Sequence, residues 1–177
     1  MTFTVTGSRF LITGAAMGMG RLYAERAVAE GAETVILWDI NKEALTETTK
    51  ALRVHADNTQ EIVPMLVDIA ERGAIEKAAA KVIKDHGGVD VIINNAGVVR
   101  GTYFWEHENE RDTEFIMKIN SLAPMFITHE FLKGMIDGKR PSRIVNIASA
   151  AGTLSNPKMS VYASSKWALI GWSDSVR

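Results

Sequence analysis

The chain has 177 residues, 46% of them hydrophobic and 23% charged, with a formal charge of −1 and no cysteine. That size suits one domain, residues 1–177, with a sizeable core. The near-neutral charge gives no electrostatic case for nucleic acid or an anionic membrane. Without cysteine there are no disulfides, zinc–thiolate sites or thiol nucleophiles, and His55, His86, His107 and His129 show no metal-ligand spacing. No metal is expected. The stretch from Met1 to Ser8 lacks a signal-peptide apolar run, and no apolar stretch is long enough to span a bilayer, so a cytoplasmic protein is expected.

The first apolar run, Phe10-Leu11-Ile12, reads as a strand ending at Thr13-Gly14. Leu22, Ala24, Ala27 and Val28 recur with helical spacing, and Gly31 stops that helix. Thr34 to Asp39 is a run of strand formers, and Asn41 can cap a polar helix to about His55. Ile62 to Asp68 reads as a third strand. Pro64 has no amide hydrogen for a ladder, which puts that strand at a sheet edge or bulges it. Asp68-Ile69-Ala70-Glu71 has the order of a capping box and predicts a helix to about His86, broken by Gly87-Gly88.

Val89 to Asn94 is a fourth strand. The loop after it carries the acidic cluster Glu106-His107-Glu108-Asn109-Glu110, read as solvated and without a role. A long helix is expected over 111–136, a fifth strand over 143–148, and a last helix that contains Val161-Tyr162-Ala163-Ser164-Ser165-Lys166-Trp167 and runs to the end. Strands alternate with helices, and the strands are continuous apolar runs. Both features indicate a parallel sheet covered on two faces. Right-handed crossovers then give a doubly wound α/β domain, the Rossmann arrangement.

The first strand-to-helix turn is Thr13-Gly14-Ala15-Ala16-Met17-Gly18-Met19-Gly20. Glycines allow a sharp turn and a close approach to a pyrophosphate, with the amides and dipole of the following helix aimed at the phosphates. Asp39 ends the second strand, where a carboxylate can accept hydrogen bonds from an adenosine ribose and repel a 2′-phosphate. No basic residue lies between Gly14 and Gly20, so NAD is favoured over NADP. Asp68 caps the next helix in this reading, with one oxygen left for an adenine amino group. Asn94-Asn95-Ala96-Gly97 suits a tight turn beneath a ligand.

Together, Thr13-Gly14-x-x-x-Gly18-x-Gly20, Asp68, Asn94 to Gly97, Asn120, Ser149, Tyr162 and Lys166 resemble the classical short-chain dehydrogenase/reductase family over essentially the whole chain. Ser149 precedes Tyr162 by the family's spacing; Met19 departs from its usual branched aliphatic residue. The resemblance implies an oxidoreductase that moves hydride between NAD(H) and a secondary alcohol or ketone. It implies a catalytic set of Asn120, Ser149, Tyr162 and Lys166. Cofactor contacts would come from Gly14, Met17, Gly18, Met19 and Gly20 in the loop and from Asp39 and Ile40 after the second strand. Asp68, Ile69, Asn95, Ala96 and Gly97 would add further contacts, with Tyr162 and Lys166 on the nicotinamide ribose.

Chemistry supports those roles. Residues i and i+4 of a helix share a face, and a tyrosine, which ionises at about pH 10 when free, is better able to take a proton beside an ammonium. Tyr162 would then be the general acid/base, and Ser149, at a strand's C-terminal end, would bind the substrate oxygen. Pro124 cannot donate to the carbonyl of Asn120, which predicts a helix kink there; in the family that carbonyl holds a relay water. The helix over 111–136 is apolar over more than one stripe, and with the resemblance it implies a homodimer or homotetramer through that helix and the last one.

The family continues past this point with a strand, a substrate-covering lid and a closing strand, so the chain is expected to be truncated at its C-terminal end. Leu37 to Asn41 and Ala148 to Gly152 are similar to the branch acting on retinoids and 17β-hydroxysteroids. That branch's N-terminal anchor is not seen here, so sugars, polyols, hydroxyacids and lipid alcohols stay open. A nucleotide-binding sensor or scaffold without turnover is the competing class, and a nucleotide-sugar epimerase or dehydratase a third.

Overall fold

The computed structural model of the chain describes residues 3–176. Five strands, β1 (Arg9–Thr13), β2 (Thr34–Asp39), β3 (Glu61–Leu66), β4 (Val91–Asn94) and β5 (Arg143–Asn146), form one parallel sheet in the order β3-β2-β1-β4-β5. Strand order reverses at β1, where the chain first moves outward through β2 and β3 and then returns to β4. Such a reversal opens a crevice at the C-terminal ends of the strands.

Alternation along the strands feeds two cores. Phe10, Ile12, Val35, Leu37, Val91 and Ile93 pack under α1 (Gly18–Ala29) and α2 (Lys42–His55). Their neighbours Leu11, Ile36, Trp38 and Ile92 pack under α3 (Arg72–His86) and α5 (Ala123–Asp137). Each fully buried aliphatic side chain of this kind contributes about 2 kcal/mol. α2 starts as expected: the Asn41 side chain accepts the Ala44 amide at 3.0 Å. β3 lies at the sheet edge, with Pro64 in register with Leu37.

The structure corrects three expectations. No capping box forms at 68–71. Asp68 Oδ1 accepts from the Ala70 amide at 2.9 Å and closes a local turn, and α3 begins only at Arg72. The long helix starts at Asn109, ahead of residue 111, and is not uniform. A π-helical turn (Asn109–Glu114), the short α4 (Phe115–Met117) and a second π-helical turn (Lys118–Leu122) precede α5. The second widened turn holds Asn120 and lies just before Pro124, where a distortion was expected. β5 is half exposed along its length because it forms the other edge. The last helix is α6 (Ser160–Ser175).

The opposite, N-terminal end of the sheet is closed by charge. Arg9 Nε and Nη2 donate to the two oxygens of Asp90 at 3.1 and 2.9 Å, and Arg140 Nε lies 3.2 Å from Asp90 Oδ2. Burial alone would raise the Asp90 carboxyl, but the Arg9 side chain and amide and the charges of Arg9 and Arg140 hold it below the usual carboxylate range. The stabilisation is therefore present above the unfolded value and lost as pH falls through the lower folded one. Urea denaturation across pH checks this: stability should drop below about pH 4, whereas Asp90→Asn should flatten that slope and cost about 3 kcal/mol at pH 7.

Candidate active site

The site starts where β1 ends. Gly14 has φ +63°, in the left-handed region that favours glycine, and a Cβ there would press on Ala96 Cα at 3.0 Å. A Cβ at Gly20 would overlap the Gly14 carbonyl, so only glycine lets α1 start this close to the strand. Thr13 Oγ1 accepts from the amides of Asn95 (3.1 Å) and Ala96 (3.0 Å), and Asn95 Nδ2 donates to the carbonyls of Thr13 (2.9 Å) and Gly14 (3.2 Å). The loops after β1 and β4 are thus stitched into one floor. Met17 gives α1 no side-chain cap, and a Cβ at Gly18 would meet nothing within 4 Å. The first amides of α1 therefore have no side-chain cap.

Above this floor lies a cavity of about 530 Å³. Gly14, Met17, Met19, Asp39, Ile40, Asp68, Ile69, Asn95, Ala96 and Gly97 line it, so most of the residues expected to hold a nucleotide are brought together. Gly18, Gly20, Tyr162 and Lys166 do not line it. Asn41, Val67, Val98, Phe115 and Ile119 do, and the sequence reading had not singled them out as site residues. Phe115 and Ile119 were legible only as one helical face, a pattern shared with any core stripe. Asp39 is committed on both oxygens: Oδ2 accepts from the Ala16 amide and Oδ1 from the Asn41 amide, each at 2.9 Å. It therefore clips the glycine loop to the end of β2, while each oxygen keeps a further lone pair.

Beside the cavity, three elements converge on Gly97. A Cβ there would lie 3.4 Å from Asn120 Oδ1 and 3.5 Å from Lys166 Nζ. Asn120, 1% exposed, accepts from the Val98 amide and donates to the Val98 carbonyl, both at 2.8 Å, and donates to Ser165 Oγ at 3.0 Å. Ser165 Oγ in turn donates to the Tyr162 carbonyl at 2.6 Å, and Ser121 Oγ donates to the Ser165 carbonyl at 2.9 Å. The widened turn of Asn120 is thereby fastened to α6 between Tyr162 and Lys166. Ser121 and Ser165 are contributions that the sequence reading missed. Ser149 Oγ accepts from the Ala151 amide at 3.2 Å, and Gly152 lets this turn lie against the α6 backbone at Lys166.

Lys166 is 5% exposed and donates to the Ile147 carbonyl at 2.8 Å. Burial pushes its ammonium below the ordinary lysine range.

A family model described as short chain dehydrogenase matches residues 8–177. The chain belongs to the short chain dehydrogenase family. It is 37% identical over 169 residues to estradiol 17-beta-dehydrogenase 11 of Homo sapiens, a match that covers 96% of this chain and 54% of the relative. It is 32% identical over 163 residues to the CLA biosynthesis dehydrogenase/reductase of Lactiplantibacillus plantarum, covering 92% and 55%. Among solved structures it is similar to a short chain dehydrogenase/reductase from Burkholderia phymatum in complex with NAD, with a TM-score of 0.91 and 29% identity over 99% of this chain and 60% of that one. A metagenomic short-chain oxidoreductase in complex with NADP matches with a TM-score of 0.89 and 28% identity, over 97% of this chain and 76% of that one. The chain spans little more than half the length of these two curated relatives. The short chain dehydrogenase family is one of oxidoreductases, and the neighbours here hold nicotinamide nucleotides of both kinds.

Lys166 yields a sign-specific test. A lysine whose folded value is depressed binds fewer protons folded than unfolded, so its cost is complete near neutrality and is relieved as pH rises toward about 10. Lys166→Met should raise stability at pH 7 by about 1–2 kcal/mol. The gap to the parent, read by urea denaturation, should narrow as pH is raised.

Proposed function

We propose that this chain carries the nucleotide-binding and catalytic residues of an NAD(H)-dependent dehydrogenase or reductase acting on a secondary alcohol or ketone. The observation that carries the reading is the meeting of Lys166 Nζ and Asn120 at Gly97, one helical turn from Tyr162. The residues present fit a dinucleotide. The uncapped start of α1 and the open space at Gly18 suit a pyrophosphate. The cavity pairs apolar walls, Ile40, Ile69, Val98 and Ile119 among them, with the carboxylates of Asp39 and Asp68, as an adenosine would need. When bound, the nicotinamide group supplies or accepts hydride.

The protein's own residues handle the proton and the geometry. Tyr162 stands on the first turn of α6, half buried, and takes the alcohol proton on its phenolic oxygen during oxidation and returns it during reduction. Lys166 lies one turn along the same face, where its donors can reach ribose hydroxyls. Ser149 ends the loop after β5 and offers its hydroxyl to the substrate oxygen as charge develops there. Asn120 ties the helix to the floor of the site. Asp39 can accept from ribose hydroxyls and opposes a 2′-phosphate, and no lysine or arginine is among the described residues that line the cavity. NAD is therefore the preferred cofactor on this reading.

Residues 1–177 act as one dinucleotide-binding unit in this proposal, with the assays made on the full-length protein. Met125, Phe126, Leu132 and Trp172 border an open groove of about 370 Å³ along α5 and α6, and we assign that face to a second copy of the chain. Among the described residues no helix is long and apolar enough to cross a membrane.

Tyr162→Phe should lower kcat by about 10³-fold and leave NADH binding within about twofold, measured by stopped-flow turnover over a panel of secondary alcohols and ketones and by calorimetry. Tight NADH binding without turnover of any substrate by the parent would sink the enzyme reading in favour of a sensor. Asp39→Ala should reduce the ratio of NAD to NADP efficiency by about tenfold or more, read from kcat/KM with each cofactor.

A further inference from the structure

The loop after β4 and the first turn of the long helix meet in an ion cluster around a buried aspartate that none of the roles above uses. Asp112 is only 1% exposed. Its Oδ1 accepts from Arg100 Nη1 at 2.9 Å and from Arg111 Nε at 3.1 Å, while Oδ2 accepts from Arg111 Nη2 at 2.9 Å and from the Glu108 amide at 3.0 Å. The Arg111 hydrogen bonds, then the Glu108 amide and Arg100, hold this carboxyl well below the usual carboxylate range. A carboxylate out of water is costly unless its oxygens are satisfied, and here they are.

The four donors differ in reach. Arg111 and Glu108 are sequence neighbours of Asp112 and fasten only the turn they belong to. Arg100 lies 12 residues earlier, in the loop. Two residues before Arg100, Val98 exchanges two hydrogen bonds with the Asn120 side chain. Loop 98–100 and helix 112–120 are therefore pinned at two points, Arg100 to Asp112 and Val98 to Asn120. Val98 at one pin, and Phe115 and Ile119 on the helix between Asp112 and Asn120, line the cavity. One pin alone is a hinge; two make a rigid wall.

We propose that Asp112 and Arg100 form a positioning pair that sets the cavity wall at Val98, Phe115 and Ile119 and, through Val98, the orientation of Asn120. The pair touches neither substrate nor reacting atoms. The part of the inference that concerns Asn120 rests on the dehydrogenase reading; the part that concerns the cavity wall rests only on nucleotide binding.

The test uses Arg100, because its side chain is 40% exposed and its truncation leaves Asp112 three of its four donors. In the full-length protein, Arg100→Ala should weaken NADH binding about tenfold by calorimetry and lower kcat by about tenfold to a hundredfold, the size of effect that small displacements of a site produce. Arg100→Lys keeps the charge but not the planar fork, and should recover most of the loss. Asp112→Asn should follow Arg100→Ala in both readouts. A fall in the thermal midpoint of Arg100→Ala, with NADH affinity and kcat within twofold of the parent, would mean a purely structural pair and overturn the proposal. So would equal losses in Arg100→Ala and Arg100→Lys. If the parent binds NADH without turning over any alcohol or ketone, the dehydrogenase reading fails, yet weakened NADH binding in Arg100→Ala would still support the braced wall.

Discussion

Everything at the ligand end of this molecule depends on how closely α1 approaches the end of β1. The approach needs glycine at position 20, where a Cβ would occupy the space held by the Gly14 carbonyl and press on Asn95 Nδ2. Because the helix starts so near the strand, its uncapped amides face the crevice that the strand reversal opens. The neighbouring loop follows from the same constraint. Asn95 can bridge the carbonyls of Thr13 and Gly14 only because the turn is this tight, and that bridge sets Ala96 and Gly97 beneath the cavity. Asp39 closes the other side by holding the Ala16 amide.

The second organising feature is a buried charge. Lys166 is kept out of water by the packing of α6 against the turn at 150–152 and the helical segment 115–122, with the Ile147 carbonyl accepting from its ammonium. Burial of this kind opposes folding. It is retained beside Asn120, whose amide is satisfied by Val98 and Ser165, so the polar groups around the ammonium are ordered by hydrogen bonds. Such an arrangement places a charge at one point and keeps it there. The widened helical turn at 118–122 brings the side chains of Asn120 and Ser121 to α6 together, one reaching the Ser165 hydroxyl and the other its carbonyl.

The legible and illegible parts divide by the range of the interaction. The glycine loop, the Asn41 cap and the edge position of Pro64 are set by properties of single residues: a missing Cβ, a short amide, a missing amide hydrogen. Those properties act within a few residues and can be read along the chain. The expected capping box at 68–71 shows the limit. Its residues have the right order, but Asp68 closes a turn onto Ala70 instead, and the helix is delayed to Arg72. Local side-chain to backbone hydrogen bonds compete among several such geometries, and spacing does not decide between them. The acidic stretch 106–110 is solvated as its dense charges suggest, with Glu106, Glu108, Asn109 and Glu110 exposed, but the Glu108 amide donates to Asp112, which Arg100 from another segment also holds, and spacing does not show that.

By itself, the order of residues determined a parallel α/β sheet, a phosphate-suited turn after the first strand, and a tyrosine and lysine on one helical face. Each follows from a periodicity or from a property of the residue type, and both survive in one dimension. Tertiary structure decided which groups meet. It placed Lys166 and Asn120 both close to Gly97, gave Asp39 two backbone partners, added Phe115 and Ile119 to the cavity wall, and joined Arg100 to Asp112. Contacts between residues far apart in sequence leave no spacing to read, because their geometry is set by the packing of whole elements.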